Sequence, residues 1–197
     1  MTRLLSLLLL VSVGAAAQPL SYGDAVPLDG QSFTAADGSQ TSLAAASGDA
    51  GLVVVFWSNA CPWTDRYAPR LADLVARYTP AGFGFVLVNA NDPAQNERES
   101  AAASRETATS AGLAVPYVAD AAGRLAAAFG VENAPHAFFF DGSGALRYDG
   151  TIDDSPTSPD RVRVPYLAQA MDQSVAGLPI EVQRTQAFGC TIKRGGE

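Results

Sequence analysis

The apolar positions of the chain gather into short unbroken runs. Two stand out, Leu52–Trp57 (LVVVFW) and Phe83–Asn89 (FGFVLVN). Runs of this length, rich in β-branched and aromatic residues, read as strands buried on both faces. Between them the pattern changes to three- and four-residue steps, at Tyr67, Leu71, Leu74, Val75 and Tyr78. That spacing predicts a helix from Pro62 to about Tyr78. Proline suits its first position, where a missing N–H costs nothing. Pro80 and Gly82 break the chain after it.

The rest of the pattern is weaker. Ser32–Thr34, the turn signal Asp37-Gly38, and Gln40–Leu43 predict a hairpin, followed by a small-residue loop from Ala44 to Gly51. Asp92 and Pro93 are a good helix cap and first residue, so Ala94–Ala111 reads as an exposed helix or else a mobile loop. Its charges read as a solvated face. Val115–Val118 is a short strand and Gly123–Phe129 a short helix stopped by Gly130. The phenylalanine run after Pro135 is a strand that turns at Asp141–Gly144 and returns through Ala145 to Asp149. A polar loop over 153–159 precedes an amphipathic helix over 160–176, with Val164, Leu167, Ala168, Met171 and Val175 on one side. Pro165 fits only near its start.

The N-terminus reads as an address. Arg3 precedes the apolar run Leu4–Val13, and Ala15-Ala16-Ala17 offers a small-residue cleavage site, as in a secretory signal peptide over 1–17. An uncleaved anchor is the alternative, but the run is short for a membrane span. No cysteine follows it to carry a lipid. The expected mature chain, 18–197, is about 180 residues long, enough for one core. No other segment looks transmembrane, so no stable membrane insertion is expected after cleavage. The product would be exported, to a periplasm or the extracellular space. Cleavage leaves twelve basic against twenty acidic residues. No basic cluster is present, which argues against a nucleic-acid partner.

Chemistry concentrates at Cys61. It would sit at the mouth of the 62–78 helix, beside free N–H groups and the positive end of the dipole, where a thiolate is stabilised. The chain has one other cysteine, Cys190, and a single histidine, His136. An oxidising compartment permits a disulfide, though nothing local pairs the two cysteines. His136 could exchange a proton with a thiol, or simply begin a strand.

The segment FWSNACPWTDRYAP resembles the thioredoxin active-site motif, FWA-x-WC-x-x-C followed by Ala-Pro. Phe56, Trp57, Cys61, Ala68 and Pro69 match, and Thr64 stands where the second cysteine would be. The segment also touches the peroxiredoxin pattern Pro-x-x-x-(Thr/Ser)-x-x-Cys-Pro at Ser58, Cys61 and Pro62, with Val54 in place of its proline. Ala134-Pro135 is similar to the dipeptide in which thioredoxin-like proteins carry a cis-proline facing the active cysteine. The stretch Tyr148–Asp154 and the tail Gly189-Cys190-Thr191-Ile192-Lys193 are similar to the redoxin, AhpC/TSA-type subgroup. There the tail often continues with Trp; here Arg194 follows.

This resemblance implies an α/β, thioredoxin-like fold: a central mixed sheet flanked by helices, with an N-terminal hairpin extension and a cysteine-bearing tail over 177–197. It implies an oxidoreductase acting on thiols and disulfides, without cofactor or metal. Cys61 would be the nucleophile and Cys190 the resolving thiol, since Thr64 leaves no other. Ser58 and Pro62 would support Cys61, while Trp63, Thr64, Pro135 and His136 would line the approach of a protein or small-molecule partner. One alternative is a peroxide-reducing enzyme with Ser58 bonded to Cys61 and an arginine nearby, Arg66, Arg124 or Arg147. Another is an exported binding module pinned by an inert Cys61–Cys190 bond. A Cys-His hydrolase fits the flanks of Cys61 poorly. A soft-metal site at Cys61, Cys190 and His136 lacks close ligand spacing.

Overall fold

The computed structural model describes residues 19–195. The expected signal peptide, 1–17, therefore lies outside the described residues. The first elements are the hairpin β1 (Phe33–Thr34) and β2 (Gln40–Thr41) and a single helical turn α1 (Leu43–Ala46). The turn replaces part of the expected loop, because the Ser42 hydroxyl accepts the Ala45 N–H and caps it.

Strand β3 (Gly51–Phe56), helix α2 (Pro62–Tyr78) and strand β4 (Phe83–Asn89) follow, all close to their predicted bounds. Ala50 N–H donates to Gly82 O, and Trp57 N–H donates to Val88 O. The same ends of β3 and β4 therefore meet, so the pair is parallel. Strand β5 (Tyr117–Ala119) runs parallel to β4 on its far side. On the other side of β3, β7 (His136–Asp141) pairs antiparallel, and β8 (Leu146–Gly150) pairs antiparallel with β7. The order is β5-β4-β3-β7-β8, a mixed five-stranded sheet. The short β6 (Asn133–Ala134) stands outside it, at the end where Cys61 lies.

Both faces of the sheet are covered, as strands without polar alternation require. Val53, Val55, Leu87, Ala137 and Phe139 point to one side, under α2 and α5 (Tyr166–Val175), where Tyr67, Leu71, Leu167 and Met171 meet them. Leu52, Val54, Phe56, Val88, Phe138 and Phe140 point to the other, against Leu125 and Phe129 of α4 (Arg124–Phe129). Phe129 sits edge-on to Phe56, Phe138 and Phe140.

Two helices differ from expectation. No helix starts at Asp92, whose carboxylate instead accepts Ala94 N–H in a turn. Helix α3 spans Ala101–Ser110, capped by Ser100, after a 3-10 turn at Glu97–Glu99. The last helix starts at Tyr166 rather than 160, with Pro165 as its cap. Pro159 opens a separate 3-10 turn. Val175, assigned to the buried side, is 65% exposed.

The tail makes two attachments. Asp149 N–H donates to Gln183 O, and Thr185 N–H donates to Asp149 O, so residues 183–185 run beside β8. A Cβ on Gly150 would collide with Thr185, so only glycine admits this approach. The chain then crosses to β6, where β9 (Cys190–Thr191) pairs antiparallel with it, Ala134 opposite Cys190.

Candidate active site

Cys61 is the N-cap of α2 and lies at the C-terminal end of β3, separated from it by Trp57–Ala60. Its carbonyl accepts the Thr64 and Asp65 N–H groups, which seats the residue on the first turn. Its sulfur is bonded to that of Cys190, with Cα atoms 5.9 Å apart. Cys61 is 1% exposed, whereas Cys190 is half-buried. The Cys61 sulfur rests 3.5 Å from the Ala134 carbonyl oxygen. The Ala134-Pro135 peptide is cis.

The loop between β3 and Cys61 is fixed from below by Glu99. Its buried carboxylate accepts the Ser58 hydroxyl at 2.5 Å, the Asn59 N–H at 2.9 Å, the Ala60 N–H at 3.2 Å and the Asn89 amide at 2.9 Å. The Asn59 side chain donates to Ser104 and accepts from the Tyr117 hydroxyl at 2.7 Å. Full burial raises the Tyr117 phenol well above its ordinary range, so it stays a donor. A buried carboxylate is tolerated because each neighbour donates to it.

The structure sorts the residues singled out above. Cys61, Pro62, Trp63 and Cys190 come together. Trp63 stands edge-on to Phe188 of the tail, centroids 4.8 Å apart, with the Arg66 guanidinium over its ring. Thr64 does not line an approach. It is fully buried, and its hydroxyl lies 2.5 Å from Ser58 O and 2.6 Å from Cys61 O. The Ser58 hydroxyl serves Glu99 rather than the cysteine. Pro135 is buried beneath the tail.

His136 turns toward Asp149, its Nε2 3.6 Å from Oδ1, and its ring stacks on Phe138. Burial alone would raise the Asp149 carboxyl. The His136 and Arg184 contacts outweigh it and hold the group below its ordinary value. Arg124 donates to Gln31 and Arg147 to Asp141, both away from the cysteine, while Arg66 donates to Thr157 O with its guanidinium over Trp63.

Glu99 escaped the sequence reading, and Ile192 entered it only as a position of the tail motif. Glu99 lies in a polar stretch without apolar spacing, and nothing there marks one acid as inward. The only hint is the pair of cap-type residues around it, Asn96 and Ser100, which break the segment into two turns.

A parallel-antiparallel sheet with a disulfide at the mouth of the helix after its first long strand defines a thioredoxin-like redox protein. The AhpC/TSA family model matches residues 23–149, and the chain belongs to that family. It is therefore an oxidoreductase of thiol and disulfide chemistry. Among solved structures, an uncharacterized conserved protein from Geobacillus kaustophilus is 28% identical, with a TM-score of 0.83 over 90% of this chain and 94% of that one. A secreted Mycobacterium tuberculosis disulfide oxidoreductase homologous to E. coli DsbE is 19% identical (TM-score 0.57, 72% of this chain and 94% of that one). Peroxidoxin BcpB from the same organism is 18% identical (TM-score 0.57, 79% and 96%). At such identities the last two show the fold alone. No curated protein matches the chain.

Proposed function

We propose that the chain is an exported thiol–disulfide oxidoreductase in which Cys61 attacks and Cys190 resolves. The observation that carries this is the Cys61–Cys190 bond itself, with Cys61 on the first turn of α2. A thiolate released there sits at the positive end of the dipole of a 17-residue helix.

In the reduced protein, the Cys61 thiolate attacks one sulfur of a substrate disulfide. A Cys61–substrate bond forms, and the other substrate sulfur leaves as a thiolate. The Cys190 thiolate then attacks Cys61, which expels the second substrate thiolate. Two electrons pass to the substrate, and the enzyme is left with its own disulfide. Two thiols from a reductant run the sequence backwards.

Pro62, Trp63 and Phe188 form the surface next to the bond, and Pro135 shapes the backbone edge that the tail covers. Peroxide reduction finds less support, because Ser58 is committed to Glu99, and Arg124 and Arg147 are engaged elsewhere. Export is supported by the signal-like residues 1–17. Residues 18–197 form one domain on this reading, with 177–197 as its tail. Among the described residues no helix is long and apolar enough to cross a membrane.

The test is a quenched reaction of the reduced protein with glutathione disulfide, read by mass spectrometry. Wild type should end as the intramolecular disulfide with two glutathiones released. Cys190→Ser should stop as a mixed disulfide on Cys61, and Cys61→Ser should react no faster than a free peptide thiol. A Cys61→Ser protein oxidised as fast as wild type contradicts the assignment. Partner binding retained in full after both cysteines become serine would favour the binding module.

A further inference from the structure

We propose that the tail closes the backbone edge beside Cys61 in both redox states. The substrates are then low-molecular-weight thiols and disulfides rather than disulfides held in proteins. This rests on the oxidoreductase reading and narrows its substrate class.

A cystine within a polypeptide reaches a buried thiol most readily when its flanking backbone pairs with an open strand edge. The edge next to Cys61 is β6, and it is taken. Asn133 pairs with Thr191, and Ala134 pairs with Cys190. Gly189 passes so close beneath this edge that a Cβ would lie 2.0 Å from the Ala134 carbonyl oxygen and 2.9 Å from Pro135 N.

What holds the tail there is largely independent of the sulfur bond. The Ile192 side chain is 4% exposed, inserted in the core with Val88, Leu125 and Val131, and its N–H donates to Glu132 O at 2.9 Å. Lys193 N–H donates to the buried Asn91 side chain at 2.9 Å, and Lys193 O accepts Asp92 N–H at 2.7 Å. The Gln95 amide donates to Arg194 O at 2.7 Å, and the Arg194 guanidinium donates to Val131 O. On the other side of Cys190, residues 183–185 are tied to Asp149. Cys190 is therefore anchored before and after in sequence by contacts that survive reduction.

Two consequences follow. Cutting the bond leaves Cys190 next to Cys61, which favours rapid resolution of any mixed disulfide. It also leaves no unpaired backbone for a polypeptide substrate to join. A small molecule needs only access to sulfur, and the half-buried Cys190 and exposed Pro62 and Phe188 mark where it enters.

The test uses the full chain in its reduced state. Amide hydrogen exchange over residues 190–193 should remain within about tenfold of the oxidised protein. Glutathione disulfide should oxidise the reduced protein at least a hundredfold faster than the disulfides of native insulin do, at equal disulfide concentration. Gly189→Ala, whose Cβ has no room, should displace the tail and raise the insulin rate tenfold or more relative to glutathione disulfide. Ile192→Ala should shift the ratio the same way through a different contact. The proposal is overturned if residues 190–193 exchange like an unfolded chain on reduction, or if insulin competes equally with glutathione disulfide in wild type. Failure of both oxidants with the tail still protected would instead sink the oxidoreductase reading and leave the closed edge standing.

Discussion

Four donors converge on the Glu99 carboxylate, three of them from the loop that leads into Cys61. Glu99→Gln keeps the shape but turns an N–H group toward at least one of those donors. The expected cost is about 1–3 kcal/mol, the range for a buried polar group left unpaired. Urea denaturation should show it, and an unchanged midpoint would contradict the role given to Glu99. Asp149 supplies a pH dependence. Its carboxyl titrates below its ordinary 3.8 because His136 and Arg184 outweigh the effect of burial. Stability from the ionised form is thus fully present above that ordinary value and is lost as pH falls through the lower folded value. Asp149→Asn should weaken the protein near neutral pH, and its difference from wild type should shrink as pH falls below the ordinary carboxylate value. A difference that grows on acidification would reverse the sign argued here.

At the scale of elements, α2 and the tail are held by different means. Helix α2 was legible in the sequence from Pro62 to Tyr78, because a proline start, a 3.6-residue apolar period and a Pro-Gly stop agree over 17 residues. Strands β3 and β4 were equally plain, since a buried strand between two helical layers needs an unbroken apolar run. Helix α3 was placed too early, because Asp92-Pro93 is a good start signal used here for a turn, while Ser100 caps the helix that forms. The tail shows no periodicity at all. After Cys190, its one large apolar anchor in the core is Ile192. Ile192→Ala should cost about 2–5 kcal/mol and Ile192→Val about 0.5–1.5, as for other buried aliphatic truncations. Loss of less than half a kcal/mol for the alanine would mean the tail is not anchored by this contact.

For the molecule as a whole, the family motif around Cys61 announced the fold, but the meeting of two cysteines 129 positions apart rests on long-range pairings. Asp149 with Arg184 and Ala134 with Cys190 are such pairings, and no local pattern encodes them. Thr64 was placed on the approach, and in the peroxide alternative the Ser58 hydroxyl on the cysteine, for a related reason. Motif position shows that a residue is near the cysteine, not which way its hydroxyl points. Reduction should leave the domain folded, since both faces of the sheet are packed without the disulfide. In the chain-entropy model the lost cross-link costs up to about 4–5 kcal/mol, so the urea midpoint should fall in reductant while the transition stays cooperative.

The central claim, that the Cys61–Cys190 bond is made and broken in use, is tested most directly by its redox midpoint. The protein would be equilibrated in glutathione buffers of graded potential, alkylated, and read by mass spectrometry. The account predicts a two-electron transition between about −120 and −270 mV, among the disulfide-exchange catalysts. A midpoint below about −300 mV would make the bond a structural staple and contradict it.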